Sequence, residues 1–298
     1  MHYELNIKGE KHIIRHPEVM GILNCTPDSF YASSRQQTAD EIARRVHEII
    51  AEGGTIIDVG GMSTRPGGTF VTEAEEMQRL RFALPIVKDA ITHHPTSTTH
   101  TPSPNAQHPT PNTQRPFISV DTYRPSVARM AVEDFGVDII NDVGAPENRE
   151  LHSLEPSGRS EMYRTIARLH VPYVLMASQP TAADTLTWLS QEINRLREYG
   201  AEDIILDPGY GFGKTLEQNF EVLGAQQRLV DTFRLPFLVG VSRKRMVWQT
   251  LGTSADEALN GTTVINTLAL ERGAAILRVH DVREAVECVR LLAKLQKE

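Results

Sequence analysis

"DIILDPGYGFGKT", Asp203 to Thr215, is the stretch on which the fold reading turns. An apolar run, "DIIL", ends in a carboxylate, Asp207, and a glycine-rich turn then leads into a segment of helical pattern. That order reads as a strand, a βα loop and a helix. The glycines and Lys214 invite comparison with phosphate-cradling loops, but the spacing excludes both kinds. A P-loop, G-x-x-x-x-G-K-[ST], would need its first glycine at Pro208, and a dinucleotide fingerprint starting at Gly209 and Gly211 would need its third at Lys214.

The same unit recurs along the chain. "VMGILN" (19–24), "TIIDVGG" (55–61), "FISVDT" (117–122), "DIINDV" (138–143), "PYVLMAS" (172–178), "PFLVGVS" (236–242) and "AILRVH" (275–280) join "DIILDPG" to make eight runs. They are continuously apolar rather than alternating, which marks strands covered on both faces of a parallel sheet. Between them lie amphipathic segments such as "ADEIARRVHEIIAEGG", "EAEEMQRLRFALPIVKDAI", "TLTWLSQEINRLREYG" and "VREAVECVRLLAKLQ". Gly53, Gly136, Gly200 and Gly273 stand where helices should end, just before the next strand. Eight βα repeats in one chain predict an α/β fold, a (β/α)8 TIM barrel formed as a single domain over residues 1–298. An open doubly wound sheet would not need so regular a repeat.

Residues 92–116, "THHPTSTTHTPSPNAQHPTPNTQRP", break the rhythm with almost nothing to bury. They are expected to form a flexible low-complexity insertion between helix two and strand three. Its histidines, His93, His94, His100 and His108, lack the regular spacing of a metal site.

A net charge of −7 over 298 residues argues against a nucleic-acid surface, which would need a basic stripe. Cys25 and Cys288 are too few for a disulfide framework, and no stretch approaches the roughly 20 apolar residues of a membrane span. A cytoplasmic protein is expected.

In a TIM barrel the active site is built at the C-terminal ends of the strands. Those ends carry Asn24, then "STRPG" (63–67), Asp121, Asn141, Asp207, Ser242 within "SRKR", and Arg278 with His280. Asp121, Asn141 and Asp207 offer acceptors and an amide suited to an N–H-rich heterocycle. Arg65, Lys244, Arg278 and His280 offer cations suited to phosphate or diphosphate. Together they suggest a nitrogen heterocycle that loses a phosphate-type leaving group. Any one such residue at a strand end has the bland alternative of capping the next helix.

Taken in order, "MGILNCTPDSF" (20–30), "IDVGGMSTRPGG" (57–68), "SVDT" (119–122), "INDV" (140–143), "LDPGYGFGK" (206–214), "VGVSRKR" (239–245), "NGTT" (260–263) and "LRVHDV" (277–282) resemble the successive motifs of the dihydropteroate synthase family. The resemblance implies a transferase of folate biosynthesis that condenses 6-hydroxymethyl-7,8-dihydropterin diphosphate with 4-aminobenzoate to give 7,8-dihydropteroate and diphosphate. By family pattern Asp121, Asn141, Met176, Asp207 and Lys244 grip the pterin, and Thr64, Arg65, Arg278 and His280 the diphosphate. Asn24 binds Mg2+, the implied cofactor, beside that diphosphate, while Pro66, Phe212 and Ser242 form the aminobenzoate site. Asp121, Asp207, Lys244 and Arg278 carry the catalytic roles. Loops 25–34 and 62–71 close the site, the family assembly is a homodimer, and sulfonamides are its inhibitors. Two departures stand out: Ala32 occupies the place of the usual first-loop aspartate, and Met176 is followed by Ala177 and Ser178 where the family often shows Met-His-Met. A methyltetrahydrofolate–corrinoid methyltransferase and a non-catalytic pterin-binding protein are the alternatives. The first has no diphosphate to hold, which leaves "STRPG" and "RVH" unexplained, and the second would not need the closing loops and both substrate sites.

Overall fold

The computed structural model describes residues 2–25, 35–62, 71–94, 115–144 and 160–295. An N-terminal hairpin pairs β1 (Tyr3–Ile7) antiparallel with β2 (Glu10–Ile14). Its two-residue turn has Lys8 at φ 54° and Gly9 at φ 83°, the doubly left-handed geometry that matches strand twist in tight hairpins.

The remaining strands form one parallel sheet. They are β3 (Glu18–Asn24), β4 (Ile56–Gly60), β5 (Phe117–Asp121), β6 (Ile139–Asp142), β7 (Tyr173–Met176), β8 (Ile204–Asp207), β9 (Leu238–Val239) and β10 (Ile276–Val279). Each expected run matches one of them, β3 beginning one residue early at Glu18. Their order around the sheet is β8-β7-β6-β5-β4-β3-β10-β9, and a parallel bridge between Leu206 and Phe237 joins the two outer strands into a barrel.

The described helices follow the strands as crossovers: α1 (Arg35–Ala51), α2 (Glu73–Thr92), α3 (Pro125–Phe135), α4 (Ser160–Leu169), α5 (Ala182–Glu198) and α6 (Leu216–Phe233). Two helices, α7 (Arg245–Leu251) and α8 (Leu259–Glu271), come before β10, and α9 (Val282–Leu295) closes the chain. Gly136 sits at φ 64° as the cap of α3, its N–H reaching back to Val132, so the glycine ends that helix as expected.

Two layers of apolar packing explain why the strands read as unbroken apolar runs. Outward-facing residues such as Val19, Ile57, Val59, Ile118, Leu175, Leu206 and Leu277 pack under the helices. Inside, one residue from each barrel strand (Met20, Ile56, Phe117, Ile139, Val174, Ile205, Leu238 and Ile276) forms a separate apolar cluster with Leu5, Ile7 and Ile14 of the hairpin. The hairpin thus plugs the N-terminal end of the barrel. Asn6 N–H donates to Asp203, and Lys8 forms an ion pair with buried Asp138 at 2.5 Å, tying the plug to the rim.

The chain leaves α2 at Thr92 and enters β5 at Phe117, so the 92–116 segment joins a helix to a strand, with both of its ends at the N-terminal end of the barrel strands. Residues 95–114 of it lie outside the described residues.

Candidate active site

Side chains two apart on a strand share a face, so counting two residues on from the inner apolar ring gives the next inward layer. That layer reads Ile22, Asp58, Ser119, Asn141, Met176, Asp207, Gly240 and Arg278. An apolar floor is followed, one step toward the C-terminal mouth, by a mostly polar ring. A further step brings Asn24, Gly60 and Asp121, which lie in register with one another and with Asn141 across β3 to β6.

The ring is internally hydrogen bonded. Arg278 Nε donates to Asp58 Oδ2 at 2.6 Å, and its Nη2 donates to Asp121 Oδ2 at 2.8 Å. Asn141 Nδ2 donates to the same Asp58 Oδ2 at 3.0 Å. Asp58, Asp121 and Asn141 are all buried, yet Oδ1 of each lacks a hydrogen-bond partner. Ser119 Oγ of the same layer is buried and open as well, and buried polar atoms left open in this way are rare in folded proteins, so four around one mouth mark a place built to receive a polar ligand. Burial pushes the Asp121 carboxyl well above its usual range, with Arg278 pulling the other way. Burial also raises the Asp207 carboxyl, opposed by Lys244 and by the Gly209 N–H that donates to its Oδ1 at 2.7 Å.

Lys244 reaches the ring from the turn after β9. Its ammonium bonds the Tyr210 carbonyl and lies 4.5 Å from the centre of the Phe212 ring, a cation–π contact. Burial depresses it to about 8, against the pull of Asp207. Gly240 lies beside both cations: a Cβ there would stand at ordinary contact distance, 3.9 Å from Lys244 Nζ and 3.8 Å from Arg278 Cβ. The turn itself is held by Arg243, at φ 53°, whose guanidinium grips Asp281 through two bonds of 2.9 Å and also donates to the carbonyls of Ala255 and Asp256. Ser242, one residue before, hydrogen-bonds His280 Nδ1 at 3.1 Å and accepts the His280 N–H at 3.2 Å.

The "GYGFGK" loop is accounted for without a nucleotide. Gly209 has φ 69°, and a Cβ there would come within 1.7 Å of the Ala177 carbonyl oxygen, so no other residue fits. Lys214 Nζ donates inward to the carbonyl of Gly209 at 3.0 Å, with longer contacts to Phe212 at 3.4 Å and Ala177 at 3.5 Å. Thr215 then starts α6 with a reciprocal capping box to Gln218.

The structure therefore brings Asp121, Asn141, Met176, Asp207, Phe212, Ser242, Lys244, Arg278 and His280 to one mouth, with Asn24 exposed at the end of β3. Thr64, Arg65, Pro66 and Ala32, with most of the two closing loops, lie outside the described residues. The division into an acceptor set and a cation set is not spatial, because Arg278 is interlocked with the carboxylates. Asp58 is the residue that sequence reading passed over. It sits inside a strand rather than at its end, and the signal was available: a lone carboxylate in the middle of "TIIDVGG", two positions from Ile56 on the inner face.

Comparison with known proteins gives a consistent picture. A family model described as "Pterin binding enzyme" matches residues 20–98 and 110–280, its gap falling inside the 92–116 segment. The dihydropteroate synthase of Escherichia coli K12 is 34% identical over 295 residues, covering 97% of this chain and 95% of the relative. That of Streptococcus pyogenes (serotype M6) is 33% identical, covering 93% and 95%. Among solved structures, the Xanthomonas albilineans dihydropteroate synthase with 4-aminobenzoic acid superposes with a TM-score of 0.79 at 30% identity, covering all of both chains. The Thermus thermophilus enzyme in complex with 4-aminobenzoate does so with 0.75 at 27%, covering 98% of this chain and 100% of that one. With motifs in order, a barrel of matching architecture and relatives matched end to end, this chain belongs to the pterin-binding enzymes and, among them, to the dihydropteroate synthase family.

Proposed function

We infer that the chain condenses 6-hydroxymethyl-7,8-dihydropterin diphosphate with 4-aminobenzoate, yielding 7,8-dihydropteroate and diphosphate. The observation that carries this reading is the ring of buried, unpartnered acceptors on Asp58, Asp121 and Asn141, set beside Asp207 and flanked by Lys244 and Arg278. A pterin presents N–H donors along one edge, and a site of open acceptors gains from them what it would otherwise lose to an unpaired polar group.

The chemistry is a substitution at the pterin methylene. The aryl amine nitrogen gives its lone pair to that carbon, the C–O bond breaks with its electrons going to diphosphate, and the amine releases a proton. An aryl amine is neutral near pH 7, so the chain needs to supply no strong base. Its task is to hold both reactants and to stabilise charge on the leaving group. Asp121, Asn141, Asp207 and Lys244 hold the ring, with Met176 packed beside it. Arg278 and His280, with Thr64 and Arg65 from the first half of the chain, take the diphosphate. Phe212 and Ser242, with Pro66, hold the aminobenzoate. The Phe212–Lys244 contact supports this reading, since a direct transfer requires adjoining substrate sites.

Mg2+ suits this site in one particular way. Among the described residues no cluster of three His, Cys, Asp or Glu side chains offers a protein cage. Asn24 presents a single amide oxygen at the barrel mouth, near Gly60. That donor set fits an ion that keeps most of its shell as water and phosphate oxygen, which is the habit of Mg2+. Bound there, the ion would offset charge on the departing diphosphate.

The remaining parts of the reading concern the whole molecule. None of the described helices is long and apolar enough to cross a membrane, and we place the enzyme in the cytoplasm. We read residues 1–298 as one domain, with 92–116 as an insertion remote from the chemistry. Exposed Leu251, Val264, Leu291 and Leu295 on the last helices suit a homodimer contact. Sulfonamides, which mimic 4-aminobenzoate, would compete at Phe212 and Ser242.

Diphosphate release from the pterin substrate, followed with and without 4-aminobenzoate, tests the function. Release that depends on aminobenzoate supports it. Pterin binding without release would return the chain to a binding protein, and methyl transfer from methyltetrahydrofolate would make it a methyltransferase.

A further inference from the structure

The reading above uses only the open Oδ1 of Asp58, whose side chain is fully buried on the inner face of β4. Its Oδ2 accepts from Arg278 Nε at 2.6 Å and from Asn141 Nδ2 at 3.0 Å. A guanidinium can only donate, so Oδ2 is fixed as an acceptor whatever the state of the rest of the carboxyl. The Asn141 atom facing it must then be the N–H2 end of the amide. The carbonyl end, Oδ1, is left pointing away without a partner, and it is buried.

We propose that Asp58 is a specificity-determining positioning residue, which holds the Asn141 amide so that its oxygen faces the ligand and the site accepts a donor there while rejecting an acceptor. A free asparagine is ambivalent, since a half-turn about its last torsion exchanges donor for acceptor. Through Asp58 the orientation is fixed by an ion pair that reaches across the barrel mouth, from Arg278 on β10 to Asp58 on β4 and so to Asn141 on β6. The consequence is a site that discriminates an aminopyrimidinone from its dioxo counterpart, in which the 2-amino donor becomes an oxo acceptor and N1 gains a hydrogen, by the polarity of that edge. Sites built to hydrogen-bond a given group reject analogues lacking it far more strongly than apolar pockets do.

This inference rests on the pterin reading, and its test separates the two. Calorimetry is run with 6-hydroxymethylpterin and with 6-hydroxymethyllumazine, in which an oxo group replaces the 2-amino group, on the wild-type protein, Asp58→Ala and Asp58→Asn. The wild type should prefer the pterin by about tenfold or more. Asp58→Ala frees the Asn141 amide to turn and should bring the ratio close to one. Asp58→Asn, whose carbonyl can still accept from Asn141, should keep most of the preference. Affinity for both ligands falling equally in Asp58→Ala, with the ratio intact, would make Asp58 a purely structural residue and overturn the proposal. A wild-type protein that binds both ligands equally overturns it while leaving the pterin reading standing, and one that binds neither overturns both. Should Asp58→Ala fail to fold, the wild type alone decides through the Asn141 side-chain amide in 15N-resolved NMR. Its N–H2 signal should stay protected and displaced by the carboxylate before and after the pterin binds. A change showing the N–H2 transferred to the ligand would overturn the assignment.

Discussion

Replacing Arg278 with alanine removes a cation from between two carboxylates, and the geometry fixes both the scale and the sign of the result. Its Nε and Nη2 bond Asp58 and Asp121, whose side chains are 0% and 5% exposed. Removing one partner of such a buried pair costs about 3–5 kcal/mol, because the charge left behind has lost its compensation. At about 2.1 cal/mol/K of unfolding entropy per residue, a chain of 298 residues loses about 5–8 °C in Tm for that cost. The pH dependence follows from Asp121. Burial already holds its carboxyl above the usual range, with Arg278 opposing, so removing Arg278 raises the folded-state value further. A carboxyl whose folded pKa exceeds its unfolded one destabilises the fold only where it must ionise. The penalty is absent below the unfolded value, near about 3.9, grows as pH rises, and is complete above the folded value. Thermal melts of the wild type and Arg278→Ala, compared from about pH 8 down to about pH 5, should therefore show a Tm deficit that shrinks with acid. A deficit that stays constant across that range, or that never exceeds about 2 °C, would refute the claim that this ion pair is buried and charged.

Three further outcomes follow from the site. Lys244, depressed to about 8 by burial, is cationic below that value, so affinity for the pterin diphosphate should weaken as pH rises through it. Lys244→Arg keeps its charge and should move that limb upward; a limb that stays near 8 in the variant points instead to Lys214, which burial sets at about the same value. Asn24→Ala should blunt the response of turnover to added Mg2+, and full wild-type activity in excess chelator would remove the metal from the scheme. Replacing His93–Gln114 with a short Gly/Ser turn, while keeping the Arg115–Asp138 ion pair, should leave turnover within about twofold, since loop-closure entropy changes slowly with length. A large loss of turnover at unchanged Tm would show that this segment reaches the site.

The barrel was legible because strands buried on both faces leave unbroken apolar runs, and each of the eight runs matches one strand. The polar mouth was legible because carboxylates, an amide and cations interrupt those runs at their C-terminal ends. The N-terminal hairpin was not. Its strands are five residues each, half exposed, and joined by Lys8-Gly9 rather than the more telling Asn-Gly. Asp58 was missed for a different reason: only the period of two, counted from an inner residue such as Ile56, shows which face a mid-strand carboxylate takes. The interlock of Arg278 with Asp58 and Asp121 depends on barrel closure, which brings residues 220 and 157 positions apart into contact and leaves no local trace in the chain.

The central claim is that the polar ring inside the barrel mouth reads a pterin, and Asp207 tests it most directly. Asp207→Asn keeps shape and burial but exchanges one acceptor oxygen for a donor facing ring N–H groups, a mismatch that costs about 1–3 kcal/mol or more. Calorimetric titration with 6-hydroxymethylpterin should find clear binding by the wild type and an affinity lower by about tenfold or more in Asp207→Asn. Equal affinity in the two proteins would contradict the account.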